Sequence, residues 1–155
     1  MSLQSPSRVL VVDDDADACE MVNLLLKPHQ IEVTCAPTPV DAWRLIKSEV
    51  FDLLMLDVWM PRLDGYEFCR QVREFDSDTP ILFYSGAAYE TDKQQGIAAG
   101  ANAYVVKPAL DELVDTTVTL IANGKGADTA RSIPSHRTAT ADRSPQFFHF
   151  ETASD

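Results

Sequence analysis

Short apolar runs alternate with segments of helical periodicity along most of the chain. The runs are continuous in hydrophobic character, which is typical of parallel strands covered by helices on both faces. They span Val9–Val12, Ile31–Ala36, Phe51–Leu56, Ile81–Tyr84 and Ala103–Val106. Each run is followed by a stretch in which apolar residues recur every three or four positions. Five consecutive β–α units predict an α/β domain with a doubly wound, open, five-stranded parallel sheet.

Capping residues indicate where several of the helices begin and end. Thr38 precedes Pro39, which suits an N-cap followed by the first helical position. Asp64 is expected to cap the helix that follows the third strand. Glycines after amphipathic stretches predict that the fourth and fifth helices end at Gly100 and Gly124.

Composition divides the chain into three parts. Residues 1–7 form an N-terminal extension, residues 8–124 the folded domain, and residues 125–155 a flexible tail rich in Ser, Thr, Ala and Gly. The tail ends in an aromatic segment, QFFHFE (Gln146–Glu151). We interpret that segment either as one that docks on its own domain or as a peptide that binds a partner. About 31 residues after Gly124 are too few for a second folded domain, so we expect either a domain that acts alone or a chain from which a further domain was removed.

The charge distribution narrows the class of partner. The chain carries a net charge of −11, and residues 1–124 hold 20 acidic against 9 basic side chains. This argues against binding of nucleic acid, which needs clustered Lys and Arg, and favours a cation or a basic protein surface. No apolar run reaches the roughly 20 residues of a membrane span, and no signal core precedes Val9. We therefore expect a cytoplasmic protein that does not enter a membrane.

The three cysteines carry no recognisable motif. Cys19, Cys35 and Cys69 lie in apolar-patterned segments, and their spacing fits neither a zinc site nor a redox pair. We expect them to be small buried residues of a protein in a reducing compartment.

Polar side chains end four of the five strands. Asp13 and Asp14 end the first strand, and Asp57 ends the third. If these strands are neighbours, their carboxylates converge at the carboxyl edge of the sheet, where such folds bind ligands. Two carboxylates about 4 Å apart repel by roughly 4 kcal/mol at an effective dielectric near 20, so a cation is expected between them. Oxygen ligands without His or Cys favour a hard ion such as Mg²⁺.

Two further polar residues reach the same edge. Ser85 ends the fourth strand and Lys107 ends the fifth, which adds a hydroxyl donor and a fixed positive charge. A carboxylate, a divalent cation, a lysine and a hydroxyl together suit an anion that reacts at the carboxylate. The simplest candidate is a phosphoryl group transferred to Asp57 as an acyl phosphate. Lys107 and the metal would offset the charge of that group.

The segments VLVVDD, LLMLDVWMPRLDG, ILFYSG and AYVVKP occur in an order and spacing that resemble the receiver domain of two-component response regulators. The resemblance covers about Arg8 to Gly124. It implies a flavodoxin-like sheet with strand order 2-1-3-4-5. It also implies a role for each matching position: Asp57 as phosphoacceptor; Asp13, Asp14, Asp57 and the backbone carbonyl of Trp59 as Mg²⁺ ligands; Ser85 as switch hydroxyl; Lys107, followed by a cis bond to Pro108, as phosphate-pairing lysine; and Tyr104 as aromatic switch.

The resemblance implies a phosphorylation-dependent switch. The phosphoryl group would come from a sensor histidine kinase or a histidine phosphotransfer protein. Ser85 would then move towards the phosphate and Tyr104 would turn inward, which changes affinity for a downstream protein. The domain would assist only its own phosphorylation and dephosphorylation, as a monomer or a phosphorylation-dependent dimer.

Two other classes of protein share parts of this pattern. A phosphatase of the haloacid dehalogenase type also uses a strand-end Asp and Mg²⁺, but it needs a second Asp where this chain has Trp59. A flavodoxin-like binding module would need a phosphate loop rich in Ser, Thr and Gly after the first strand, where this chain has acids. Trp59 is also large for a receiver at this position, and we hypothesise that it restricts access to the acyl phosphate.

Overall fold

The computed structural model describes residues 5–127, in which five β–α units follow one another. The strands are β1 (Ser7–Val12), β2 (Ile31–Ala36), β3 (Leu53–Leu56), β4 (Ile81–Ser85) and β5 (Ala103–Val106). The helices are α1 (Ala16–Leu26), α2 (Pro39–Ser48), α3 (Gly65–Phe75), α4 (Glu90–Ala99) and α5 (Leu110–Ala127). One 3₁₀ turn, Lys27–His29, connects α1 to β2.

The strands form one parallel sheet in the order β2-β1-β3-β4-β5. This confirms the predicted doubly wound, flavodoxin-like α/β fold. β1 lies between β2 and β3, with Val12 paired to Ala36 on one side and to Leu56 on the other. Strand order reverses at β1, so the loops after β1 and β3 leave the same edge next to each other.

Two apolar layers enclose the sheet. On one face, α2, α3 and α4 pack through Trp43, Phe68 and Ala99 against Phe83 and other strand residues. On the other face, α1 and α5 pack against Val11, Met55 and their neighbours. Because helices cover both faces of the sheet, side chains on both faces of the central strands β1, β3 and β4 are buried. This explains why these strands carry continuous apolar runs instead of alternating between apolar and polar residues.

The capping predictions are confirmed for Thr38, Asp64 and Gly100, and Asp15 caps a further helix. Asp15 accepts hydrogen bonds from Asp17 N and Ala18 N at the start of α1. Thr38 and Asp64 cap α2 and α3 in the same way. Gly100, with φ 118°, ends α4 in the left-handed conformation that glycine tolerates.

Other predicted boundaries were wrong by a few residues. β1 begins at Ser7, β3 begins at Leu53, and β4 includes Ser85. The largest error concerns α5, which continues through Gly124 to Ala127. A single glycine costs a helix roughly 1 kcal/mol, which is too little to end it. Residues 1–4 of the predicted extension and residues 128–155 of the predicted tail, including Gln146–Glu151, lie outside the described residues.

The cysteine prediction was wrong for Cys35 and for the pairing. Cys19 in α1 and Cys35 in β2 form a disulfide with Cα atoms 6.2 Å apart, and Cys35 is exposed. Cys69 is buried and free, as predicted. The β–α–β crossover places α1 beside β2, so residues 16 positions apart in sequence meet in space. Spacing alone cannot reveal such a contact.

Candidate functional site

The acidic side chains of the predicted site lie together at the carboxyl edge of the sheet. Asp13 N donates to Ala36 O at 3.2 Å, and Asp57 N donates to Val12 O at 3.0 Å, so both residues extend the strand pairing. Oxygens of Asp13, Asp14 and Asp57 lie within 4.8 Å of one another. Asp13 and Asp57 are buried and Asp14 is exposed. The adjacency of β1 and β3, which the sequence left conditional, brings these groups together.

Lys107 follows the edge strand β5, and its side chain reaches the acidic cluster. Its Nζ donates to Asp13 Oδ2 at 2.8 Å and lies 4.0 Å from Asp57 Oδ1. Its backbone N donates to Ser85 O at 2.9 Å, which fixes the residue at the end of β5. The peptide bond to Pro108 is cis, as the resemblance implies. The ammonium group is therefore held between two of the three carboxylates.

The charges of the site shift its pKa values in a consistent way. Burial raises the pKa of Asp57, the positive charge of Lys107 opposes that rise, and the nearby Asp13 adds to it. Burial alone would lower the pKa of Lys107, but its hydrogen bond to Asp13 and the charge of Asp57 raise it overall. Lys107 thus stays cationic, and the cluster favours additional positive charge near Asp57.

The donor set fits a divalent cation bound by oxygen. Three carboxylates converge with no His or Cys among the ligand atoms of the cluster, which is the chemistry of Mg²⁺. Both oxygens of Asp13 already accept hydrogen bonds, Oδ1 from Asp15 N at 2.9 Å and Oδ2 from Lys107. Asp14 is the exposed residue of the three, so an ion from solvent can reach its carboxylate most easily.

Ala87 connects Ser85 to Tyr104 through two hydrogen bonds. Ser85 is fully buried, and its Oγ accepts from Ala87 N at 3.2 Å. Tyr104 OH donates to Ala87 O at 2.6 Å, and its ring packs 5.7 Å from that of Phe83. Tyr104 thus already lies inward against the sheet, so any motion assigned to it begins from an inward side chain.

Gly65 is a site residue that sequence analysis did not identify. Its N donates to Val58 O at 2.8 Å, closing the loop that follows Asp57. A Cβ at this position would lie 2.1 Å from the carbonyl oxygen of Asp57. Only glycine allows this close approach. The Asp64-Gly65 pair was interpreted only as a helix start, although a glycine in a first helical turn is itself a signal of close packing.

Trp59 lies at the mouth of the site. Its side chain is 65% exposed, and its Cζ3 atom is 3.7 Å from where a Cβ of Gly86 would lie. The indole therefore extends from the loop after β3 to the loop after β4. Its position is compatible with the hypothesis that it restricts access to Asp57.

None of the helices within residues 5–127 combines the length and apolar character needed to cross a bilayer.

Comparisons with known proteins agree with this fold. The family model of the response regulator receiver domain matches residues 9–118. The response regulator MprA of Mycobacterium avium is 40% identical over 127 residues, covering 81% of this chain and 56% of that protein. This chain thus spans about half the length of the curated relatives it matches.

Solved structures show the same likeness. A Francisella response regulator receiver domain is 28% identical with a TM-score of 0.71, covering 76% of this chain and 98% of that one. The non-phosphorylated HemR receiver domain from Leptospira biflexa is 27% identical with a TM-score of 0.69, covering 75% and 94%. The chain therefore belongs to the family of response regulator receiver domains of two-component signalling systems.

Proposed function

We propose that Asp57 accepts a phosphoryl group from a phosphohistidine and that the phosphorylated domain changes its affinity for a partner protein. The donor would be a sensor histidine kinase or a histidine phosphotransfer protein. The observation that carries the proposal is the position of Lys107, whose ammonium lies 2.8 Å from Asp13 and 4.0 Å from Asp57 beside converging carboxylates. A partly buried lysine among acids supplies the fixed charge that phosphoryl transfer requires.

In this reaction the Asp57 carboxylate attacks phosphorus, the P–N bond to histidine breaks, and the imidazole nitrogen leaves with the bonding electron pair. Asp13, Asp14, Asp57 and the backbone carbonyl of Trp59 would hold Mg²⁺, with Asp14 as a direct ligand. The bound ion supplies positive charge that stabilises the transferring group. Lys107 then pairs with the new phosphate, and the small residues Gly86 and Ala87 leave space for its oxygens.

The output begins at Ser85. When its hydroxyl donates to the phosphate, Oγ turns away from Ala87 N, and the hydrogen bonds on both sides of Ala87 rearrange together. Tyr104, bonded to Ala87 O, transmits this change to the surface formed by α4, β5 and α5. The result is a shift in population between two arrangements of that surface. We propose that a downstream protein reads the difference, with the domain acting in the cytoplasm as a monomer or a phosphorylation-dependent dimer.

The phosphatase alternative is not favoured. The exposed indole of Trp59 occupies the position where that mechanism needs a second carboxylate. The two functions also differ in turnover, because a receiver binds one phosphoryl group per chain whereas a phosphatase releases phosphate continuously.

The test is phosphorylation by acetyl phosphate with Mg²⁺, followed by intact-mass measurement and assay of released phosphate. We expect wild-type protein to gain about one phosphoryl group per chain, and Asp57→Asn to gain none because it lacks the nucleophile. Asp52→Asn, which changes an acid before β3 at the opposite edge of the sheet, is the matched control and should behave as wild type. Modification of Asp57→Asn, or rapid steady turnover, would contradict the proposal.

A further inference from the structure

We propose that Cys19 and Cys35 form a reversible disulfide that exchanges with dithiol reductants and controls how firmly the acidic loop, Asp13–Asp15, binds a divalent cation. The part that concerns the cation depends on the proposed function. The existence and exchange of the disulfide do not.

The disulfide joins two elements that flank the acidic loop. Cys19 lies in the first turns of α1, directly after the loop, and Cys35 lies one residue before the end of β2. Their Cα atoms are 6.2 Å apart, within the range that a disulfide requires. Because β2 pairs with β1 up to Val12, Cys35 lies in register with Val11, two residues before Asp13.

Hydrogen bonds connect the acidic loop to both sides of the disulfide. On the β2 side, Ala36 O accepts from Asp13 N at 3.2 Å, and Ala36 directly follows Cys35. On the helix side, Asp15 O accepts from Cys19 N at 3.2 Å, and Asp15 also caps α1. The loop thus belongs to a small closed unit made of the disulfide and two backbone hydrogen bonds.

The environment of the two sulfurs suits selective exchange. Cys19 is buried, with 3% of its surface exposed, whereas Cys35 is exposed. A thiolate of a dithiol reductant attacks Cys35 Sγ, the bond to Cys19 breaks, and Cys19 leaves as a thiolate that takes up a proton. The second thiol of the reductant then displaces Cys35, so the protein gains two electrons and two protons while the reductant becomes a disulfide.

The third cysteine does not compete in this exchange. Cys69 is buried in the opposite core, and burial raises the pKa of its thiol to about 11. It therefore carries almost no thiolate at neutral pH and is unreactive. In a reducing compartment, a partly exposed pair of this kind is typical of redox sensing rather than of structural support.

Opening the disulfide would leave the acidic loop less preorganised for binding a cation. With the bond closed, the segment that carries Asp13 and Asp14 is tied to both β2 and α1. With the bond open, α1 can move relative to β2, and binding of a cation must then order the loop at an entropic cost. We expect the affinity for Mg²⁺ to fall by about threefold or more on reduction.

The experiment compares the full chain oxidised with glutathione disulfide and reduced with dithiothreitol, each freed of reagent before measurement. Alkylation under denaturing conditions without reductant, followed by mass spectrometry, should show one modified cysteine in the oxidised sample and three in the reduced sample. Titration with MgCl₂, monitored by tryptophan fluorescence of the exposed Trp59, gives the affinity of each form.

Two variants complete the test. Cys35→Ser, at an exposed position, should bind Mg²⁺ with the weaker affinity regardless of reductant, and Cys69→Ala should respond as wild type does.

Three modified cysteines in the oxidised sample would overturn the disulfide. Equal affinity for Mg²⁺ in the two forms would overturn its control of the site while leaving the proposed function intact. Absence of Mg²⁺ binding in both forms would overturn the proposed function and the control together, and the alkylation pattern would still decide whether the disulfide forms.

Discussion

At the scale of single residues, the site is a balance between burial and charge. Asp57 is only 8% exposed, yet the phosphoryl transfer proposed above requires it to be ionised. Lys107 makes this possible by placing a positive charge 4.0 Å away, and Val58 N donates to Asp57 Oδ1 at 2.9 Å. Lys107 and Val58 N thus stabilise the ionised carboxylate, while burial and the charge of Asp13 raise its pKa.

This balance predicts that Asp57 lowers the stability of the fold at neutral pH. Because its pKa is raised above 3.8, the folded state binds the proton more tightly than the unfolded chain does. Stability therefore falls as pH rises through the interval between 3.8 and the folded pKa. We expect Asp57→Asn to raise the thermal unfolding midpoint by about 2–4 °C at pH 7, and by progressively less as pH falls towards 4.

The measurement is thermal unfolding of both proteins without divalent cations from pH 4 to pH 7. Glu20→Gln, which removes an exposed acid from α1, is the control and should show no such pH-dependent gain. A gain for Asp57→Asn that stays constant across this pH range would contradict the assignment of the effect to the ionisation of Asp57.

At the scale of elements, α4 is held in place by contacts at its C-terminal end and at Gly96. Arg73 in α3 fixes its C-terminal end by donating to Gly100 O at 2.9 Å, Thr79 O at 2.8 Å and Asn102 Oδ1 at 2.9 Å. Near its middle, Gly96 lies against the rings of Phe83 and Tyr104. The absence of a side chain at Gly96 gives Tyr104 room to lie inward.

We predict that Gly96→Ala displaces Tyr104 or shifts α4. A Cβ at this position would lie 2.9 Å from Tyr104 Cδ2 and 3.1 Å from Phe83 Cδ2. Alanine normally stabilises a helix interior relative to glycine, but overpacking here should reverse the sign and cost about 1–3 kcal/mol. Urea unfolding measures the change in free energy of unfolding.

A double-mutant cycle identifies the cause. In the Tyr104→Ala background the closest contact is gone, so Gly96→Ala should cost clearly less than it does in wild type. An equal cost in both backgrounds would show that the tyrosine ring is not what the added methyl group meets.

At the scale of the whole molecule, excess negative charge surrounds an acidic site. Residues 1–124 hold 20 acidic and 9 basic side chains, and three of the acids converge at one edge of the sheet. Binding of a divalent cation should therefore stabilise the entire domain, because the folded state assembles the ligands and the unfolded chain separates them.

We predict that saturating Mg²⁺ raises the thermal unfolding midpoint of wild-type protein by about 5–10 °C at 100 times the dissociation constant. Asp14→Asn removes an exposed carboxylate of the cluster and should lose most of this rise. Scans in EDTA and in KCl at matched ionic strength separate specific binding from screening. A similar rise in KCl, or in Asp14→Asn, would show that general screening is responsible.

The order of strands and helices, the fold class and the residues at the strand ends could be predicted from the chain itself. These features depend on local signals: continuous apolar runs, capping side chains such as Thr38 and Asp64, and the polar residue that ends each run. The period of apolar side chains and the capping of helices involve residues only a few positions apart, so these patterns are readable in the sequence.

Three further features depend on how one element packs against another, which the pattern within a single element does not show. They are the disulfide of Cys19 and Cys35, the approach of Gly65 to Asp57 and the space that Gly96 leaves for Tyr104. The same holds for the distance between Lys107 and Asp13, which lie 94 residues apart. Composition and spacing name the groups that can react, whereas packing across the sheet decides how far apart they lie and what room each one has.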